Sequence, residues 1–226
     1  MKNQIAVIGL GRFGYSVAKE LALAGSEVLA IDKDEERVSK VAEYVTHAVV
    51  LNATDEKALR SVGVQNMDIA IVSIGENIEA NILVVMLLKE LGVHSIVAKA
   101  VTSLHGKVLE SLKVDRIVYP ERDMAVRVAH WLIQPNIIEQ LELSPEYSII
   151  ELPAPALLVG RSLKDSQLRS KYGVNLIAIK KLRHTAQELG HQWNVNPLPT
   201  DVIQKDDVLV LIGRTKDLGH LSEPER

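Results

Sequence analysis

Apolar positions follow two rhythms along the first 120 residues. Short apolar runs at Gln4–Ile8, Glu27–Ile31, His47–Leu51, Asp68–Ile74, Ser95–Lys99 and Asp115–Pro120 are rich in Val and Ile. Runs of this length and composition predict buried parallel strands. Between them, apolar residues recur three or four apart. Tyr15–Ala24 carries Val17, Ala18, Leu21 and Ala22 and closes at Gly25; Asp34–Tyr44 follows; a short helix runs through Ser61, with Thr54 or Asp55 as its cap. Glu79–Leu91 places Ile82, Val85, Met86 and Leu88 largely on one face, and Leu104–Leu112 completes the series. Strand and helix in strict alternation imply right-handed crossovers. The expected fold class is α/β, a Rossmann-type doubly wound parallel sheet covered on both faces.

The rhythm changes after the sixth strand. A helix over Asp123–Leu132 brings Met124, Val128, Trp131 and Leu132 to a face for which the six-stranded domain has no partner. Such a face predicts a contact between subunits. Gln134-Pro135-Asn136 breaks the helix and marks the domain boundary. Beyond it come strands at Tyr147–Leu152, Asn175–Lys180 and Asp207–Ile212, and a short helix over Ser162–Ser170 with Leu163 and Leu168 inward. Thr185–Thr200 reads as an exposed hairpin or loop. The expected divisions are a nucleotide-binding domain at 1–134, a linker at 135–143, a small α+β C-terminal lobe at 144–221 and a disordered tail at 222–226.

The densest chemistry sits at the first strand-to-helix turn, Gly9-Leu10-Gly11-Arg12-Phe13-Gly14. Gly9 permits the tight turn, Gly11 lets a phosphate approach the backbone, and Gly14 lets the helix pack closely on the sheet. The helix start offers unpaired N–H groups and partial positive charge to an anion. Asp32, eighteen residues past Gly14, ends the second strand, where a carboxylate accepts both hydroxyls of a ribose and repels a 2′-phosphate. Ligands of such sheets lie outside the carboxyl ends of the strands. Residues at those ends complete the candidate cofactor-binding set: Lys33, Asn52, Ala53, Thr54, Ser73, Ile74, Gly75, Lys99 and Glu121. Taken singly, each fits a turn or a cap; their convergence on one crevice makes them a set. Arg12 departs from the small or apolar residue a dehydrogenase places in this turn. Its guanidinium offers a fork of donors to a terminal phosphate, favouring ATP or ADP over NAD or NADH. The alternative for Arg12 is an exposed side chain paired with a nearby acid.

Composition removes several classes. The 226 residues are 47% hydrophobic, enough for one sizeable domain and a smaller one, and the formal net charge of −3 without a long basic run argues against nucleic acid. With no cysteine there is neither a disulfide nor a thiolate metal site, which fits a reducing compartment. Met1 leads almost directly into a strand, so no signal peptide is expected, and the longest charge-free apolar stretches, such as Ala80–Leu88, fall far short of the ~20 residues of a membrane span. A cytoplasmic chain held at a membrane by a partner is the resulting expectation. The seven histidines (His47, His94, His105, His130, His184, His191 and His220) are scattered and form no triad or metal spacing. An NAD-binding oxidoreductase, the alternative function, would need a larger substrate domain. An ATPase would need a GxxxxGK[ST] loop, which is absent. No catalytic residue is therefore assigned, and the chain is not expected to be an enzyme.

Ile5-Ala6-Val7-Ile8-Gly9-Leu10-Gly11-Arg12-Phe13-Gly14, Asn52-Ala53-Thr54-Asp55, Val118-Tyr119-Pro120-Glu121-Arg122-Asp123-Met124 and Val208-Leu209-Val210-Leu211-Ile212-Gly213 together resemble the RCK (KTN, TrkA-N plus TrkA-C) regulatory subunits of Ktr potassium-uptake systems. The resemblance spans essentially the whole chain. It implies a homo-octameric ring built from dimers, docked on a KtrB-like membrane subunit that translocates potassium, at the inner face of the plasma membrane. ATP and ADP would compete for the N-terminal site, with ATP favouring the active transporter. Arg12 would meet the γ-phosphate, Asp32 the ribose, and Glu121 a divalent cation (Mg or Ca) near the phosphates of paired subunits; Lys99 matches a basic position of the family. It also implies cyclic di-AMP as a ligand of the C-terminal lobe near Tyr172–Lys181, where no motif singles out individual residues. Two features depart from the family. Asp34 stands where some relatives carry Asn, an added charge that either weakens nucleotide binding or is solvated. Arg183–Asn196 is longer than the family pattern, which puts the C-lobe ligand in question.

Overall fold

The computed structural model describes residues 3–133, 136–184 and 189–222. It divides into two compact units, Met1–Met124 and Ala125–Arg226.

The first unit alternates strand and helix: β1 (Gln4–Ile8), α1 (Arg12–Leu23), β2 (Glu27–Asp32), α2 (Glu35–Val41), β3 (His47–Val50), α3 (Glu56–Ser61), β4 (Ile69–Val72), α4 (Ile78–Glu90), β5 (Ser95–Lys99), α5 (Ser103–Ser111) and β6 (Arg116–Val118). The sheet order is β3-β2-β1-β4-β5-β6, with all pairs parallel. Successive β1 residues face opposite ways, so Ile5 and Val7 pack with Ala18 of α1 and Val38 and Val41 of α2. Ala6 and Ile8 join the other core, with Val84, Val85 and Leu88 of α4 and Leu109 of α5. Burial on both faces is what the unbroken apolar runs require. The strand order reverses direction on either side of β1. Ile8 pairs with Ile31 on one side and Val72 on the other, so three strands end at the same level and a crevice opens above them.

One helix face differs from its expected form. α4 buries Asn81, Val84, Val85 and Leu88, while Met86 is 42% exposed and Ile82 only half-buried. Positions 81, 84, 85 and 88 form the i, i+3, i+4, i+7 stripe. An asparagine can occupy it because its amide donates to the carbonyls of Ile74 (2.7 Å) and Lys99 (3.3 Å).

The second unit contains most of α6 (Pro120–Ile133), then β7 (Glu139–Ser144), β8 (Tyr147–Pro153), α7 (Leu163–Ser166), α8 (Leu168–Tyr172), β9 (Asn175–His184), β10 (Leu189–Asn194), β11 (Val208–Arg214) and α9 (Thr215–Ser222). Its sheet is antiparallel, ordered β10-β9-β11-β8-β7, over a core that includes Ile150, Leu152, Leu158, Val174, Ile179, Leu209 and Leu211. Residues 139–144, read from sequence within and just past a linker, pair with β8 as an edge strand; their alternation is weak because an edge strand buries little. The single helix expected over Ser162–Ser170 is two, broken where Gln167 adopts φ 48°. Of the alternatives for Thr185–Thr200, the backbone forms a hairpin, with Leu189–Asn194 paired to Ile179–His184. Gln134 and Pro135 of the expected boundary, 185–188 of the hairpin tip and 223–226 of the expected tail lie outside the described residues. Among the described residues no helix is long and apolar enough to cross a membrane.

Candidate nucleotide site

The first turn is built almost entirely from backbone. Gly9 takes φ +92° and donates its N–H to the Ile31 carbonyl at 2.8 Å, which fastens the turn to the end of β2. A Cβ there would lie 3.0 Å from the Ile74 amide nitrogen, and the positive φ adds backbone strain for any other residue. Gly11 is the N-cap of α1 and supplies no side-chain acceptor, so the helix's first amides keep their donors for a ligand or water. Nothing lies within 4 Å of where its Cβ would stand. Gly14 is needed for a different reason. Its Cβ would fall 1.9 Å from the Gly9 carbonyl oxygen and 2.3 Å from the Ser73 Oγ.

Asp32, 8% exposed, is anchored by both oxygens: Oδ2 accepts from the Leu10 N–H (2.6 Å) and Oδ1 from the Asp34 N–H (3.0 Å). Each carboxylate oxygen has a second lone pair, so the anchored group can still receive two ribose hydroxyls. Asp34 also has a local role beside its charge, with its side chain 43% exposed. Its Oδ1 caps α2 by accepting from the Glu36 and Arg37 N–H groups at 2.9 and 3.3 Å. Asn52 holds its own turn, its Oδ1 accepting from the Thr54 N–H and Oγ1, and Asp55 caps α3 by accepting from the Ala58 N–H at 3.2 Å.

Across the crevice, Ser73 donates its hydroxyl to the Gly9 carbonyl at 2.5 Å, tying the end of β4 to the glycine turn. Lys99 is 12% exposed. Its Nζ donates to Glu121 Oε1 at 2.6 Å and stands 5.9 Å from the Phe13 ring centroid. Gly75 gives that ammonium room, since a Cβ there would come within 3.2 Å of it. The Lys99 hydrogen bond, with a smaller contribution from the Arg12 charge, holds the Glu121 carboxyl below its ordinary value of 4.5. A depressed carboxyl stabilises the fold above its unfolded pKa, and that contribution is lost as pH falls through the folded value. The Glu121 side chain is 70% exposed, so the effect is small. Thermal melts of wild type and Glu121→Gln are expected to separate slightly at neutral pH and converge below pH 4.5, the ordinary carboxyl value. A gap that widens on acidification would contradict the pairing.

These walls enclose a cavity of about 650 Å³, within the ~300–1,000 Å³ typical of ligand sites. Every residue of the expected set lines it except Gly14, which lies beneath the turn. Sequence reasoning missed two charged members, Arg37 and Glu76. Both were findable: Arg37 lies three residues past the Asp34 cap, in the first turn after β2, and Glu76 follows Gly75. The divalent cation fits less well. Among the described residues no three His, Cys, Asp or Glu groups converge on a metal site, so one chain would offer at most two such groups where calcium takes about six or more oxygens.

Fold and site together define a Rossmann-type domain with a cavity at the carboxyl ends of its strands, followed by a small antiparallel lobe. Residues 5–120 match the TrkA-N domain and 147–224 the TrkA-C domain. The chain is 46% identical to Ktr system potassium uptake protein C of Bacillus subtilis, covering 99% of this chain and 97% of that protein. It is 46% identical to Ktr system potassium uptake protein A of the same organism (96% and 95% coverage) and 37% identical to protein A of Vibrio alginolyticus (96% of each). The chain belongs to the Ktr potassium-uptake family of TrkA-N/TrkA-C proteins. Among solved structures, the GsuK channel matches the fold with a TM-score of 0.66 at 17% identity, covering 100% of this chain and 40% of that one. The GsuK RCK domain matches at 0.55 and 24% identity, covering 96% and 45%. This chain thus spans less than half of those structures.

Proposed function

We propose that the crevice binds an adenine nucleotide and that the number of its phosphates controls a membrane-embedded, potassium-translocating partner. The observation that carries this reading is that one cavity joins the bare start of α1, with Arg12 and Lys99 beside it, to the anchored carboxylate of Asp32. A phosphate chain and a ribose are the two parts of a nucleotide that those features suit. ATP and ADP share every contact except those to the γ-phosphate, and only a differential contact shifts a conformational equilibrium. Arg12 is the group we assign to it. The chain then acts as a regulatory subunit, not an enzyme, at the cytoplasmic face of the membrane.

The proposed assembly is a homo-octamer of dimers under a KtrB-like subunit. Among the described residues no member of α6 is buried, and Leu132 and Ile133 are 78% and 74% exposed, which supports a subunit contact there. Glu121 would contribute one ligand to a Mg or Ca ion completed by phosphates and a second copy, releasing Lys99 from its present bond. Cyclic di-AMP near Tyr172–Lys181 of the C-terminal lobe belongs to the same reading. One structure of similar fold is described as the GsuK channel bound to NAD (TM-score 0.62, 16% identity), so NAD is the competitor to test.

Calorimetry with ATP, ADP and NAD should show both adenosine phosphates binding more tightly than NAD. Light scattering should give an octamer, and potassium flux through vesicles holding the partner should rise with ATP over ADP. NAD binding tighter than ATP, or a monomer under every nucleotide condition, would overturn the reading.

A further inference from the structure

Among the described residues, Arg37 is held by the edge of its guanidinium. Its Nη1 lies 3.9 Å from Asp32 Oδ2, its Nε 3.5 Å from Asp34 Oδ2 and its Nη2 3.5 Å from Glu76 Oε1. These three carboxylates come from different places: the end of β2, the cap of α2, and the loop between β4 and α4. β2 and β4 flank β1 on opposite sides, so the side chain reaches from one bank of the crevice to the other. The donors of a guanidinium all lie on its rim, and here the rim is occupied by carboxylates, which leaves the flat faces for a ligand.

Which part of a nucleotide meets that face follows from the site. A ribose on Asp32 carries two substituents. The phosphate chain turns toward Gly11 and Arg12, so the base is the group directed away from them, past the carboxylate that Arg37 borders. Resting on the nucleotide reading above, we propose that Arg37 is a strap over the nucleobase: its face stacks on the purine, and Glu76, a positioning residue, holds it across the mouth. The contact to Glu76 is long and Glu76 is 88% exposed, so the latch opens easily to admit and release the ligand. The strap grips the half that ATP and ADP share. It therefore sets how tightly and how long any adenine nucleotide stays, while Arg12 reads the phosphates.

The test uses the full chain, a fluorescent ADP analogue, and competition by ATP, ADP and base-free tripolyphosphate. Arg37→Ala is expected to weaken ATP and ADP by the same factor, about fivefold, from the lost face-to-face stacking of a planar guanidinium on the base, and to leave tripolyphosphate unchanged. Arg37→Lys keeps the charge but not the planar fork, and should behave as Arg37→Ala does. Glu76→Gln should raise the dissociation rate of both nucleotides about twofold and reduce, by the share of this one pair, the salt dependence of that rate. A loss for ATP alone, an equal loss for tripolyphosphate, or full rescue by lysine would overturn the strap, because each assigns Arg37 to charge and not to the base. Wild-type protein that binds none of these ligands would instead overturn the nucleotide reading itself.

Discussion

Gly14→Ala is expected to cost the N-terminal unit about 3 kcal/mol, the upper end of overpacking penalties. The added methyl would sit 1.9 Å from the Gly9 carbonyl oxygen and 2.3 Å from the Ser73 hydroxyl. Neither can give way cheaply. The carbonyl is the acceptor of the Ser73 hydroxyl, and the Gly9 N–H is bound to Ile31. Relief therefore requires α1 to lift from the sheet, which breaks its packing through Ala18 on Ile5 and Val7. Urea unfolding together with amide exchange in β1 and α1 measures the loss. Gly11→Ala is the control: its methyl meets nothing within 4 Å, so stability should stay near wild type while nucleotide binding falls. Wild-type protection of β1 in Gly14→Ala would contradict the packing account.

Arg12→Ala should narrow the preference for ATP over ADP more than it weakens ADP. A charge-assisted contact made only with a third phosphate contributes on the order of 1–3 kcal/mol, about 5–150-fold in the affinity ratio. Arg12 forms no ion pair among the described residues, so its removal strands no buried partner, and the change reads on the ligand. Calorimetry of both nucleotides on wild type and variant decides it. An equal loss for ATP and ADP would show a general phosphate anchor and would remove the discrimination that the regulatory reading requires.

The glycine turn was legible because each glycine answers a constraint of the backbone itself. Asp32 was legible because it ends an apolar run at a fixed distance from that turn. Lys99 and Glu121 could be placed at strand ends, but not bonded to one another, since twenty-two residues and α5 separate them in sequence. Arg37 signalled its nearness to the end of β2 by standing three residues past Asp34, but nothing in the sequence named its partners. Its reach to Glu76, thirty-nine residues away, exists only because β2 and β4 flank the same strand. The C-terminal lobe was read less completely. β7 is an edge strand with little to bury, and the break at Gln167 is a change of φ in a stretch whose apolar spacing suits one helix.

By itself, the order of residues determined the alternation of strand and helix, the glycine turn at the start of α1, the carboxylate that ends β2 and the family. Those features rest on local backbone geometry and on periodic burial, which neighbouring residues encode. The tertiary structure alone decided that Asn81 ties the loop after β4 to the end of β5, that Lys99 is bound to Glu121, and that Arg37 spans three carboxylates across one opening. Each of these depends on the distance between side chains remote in sequence, and that distance is set by strand order and register.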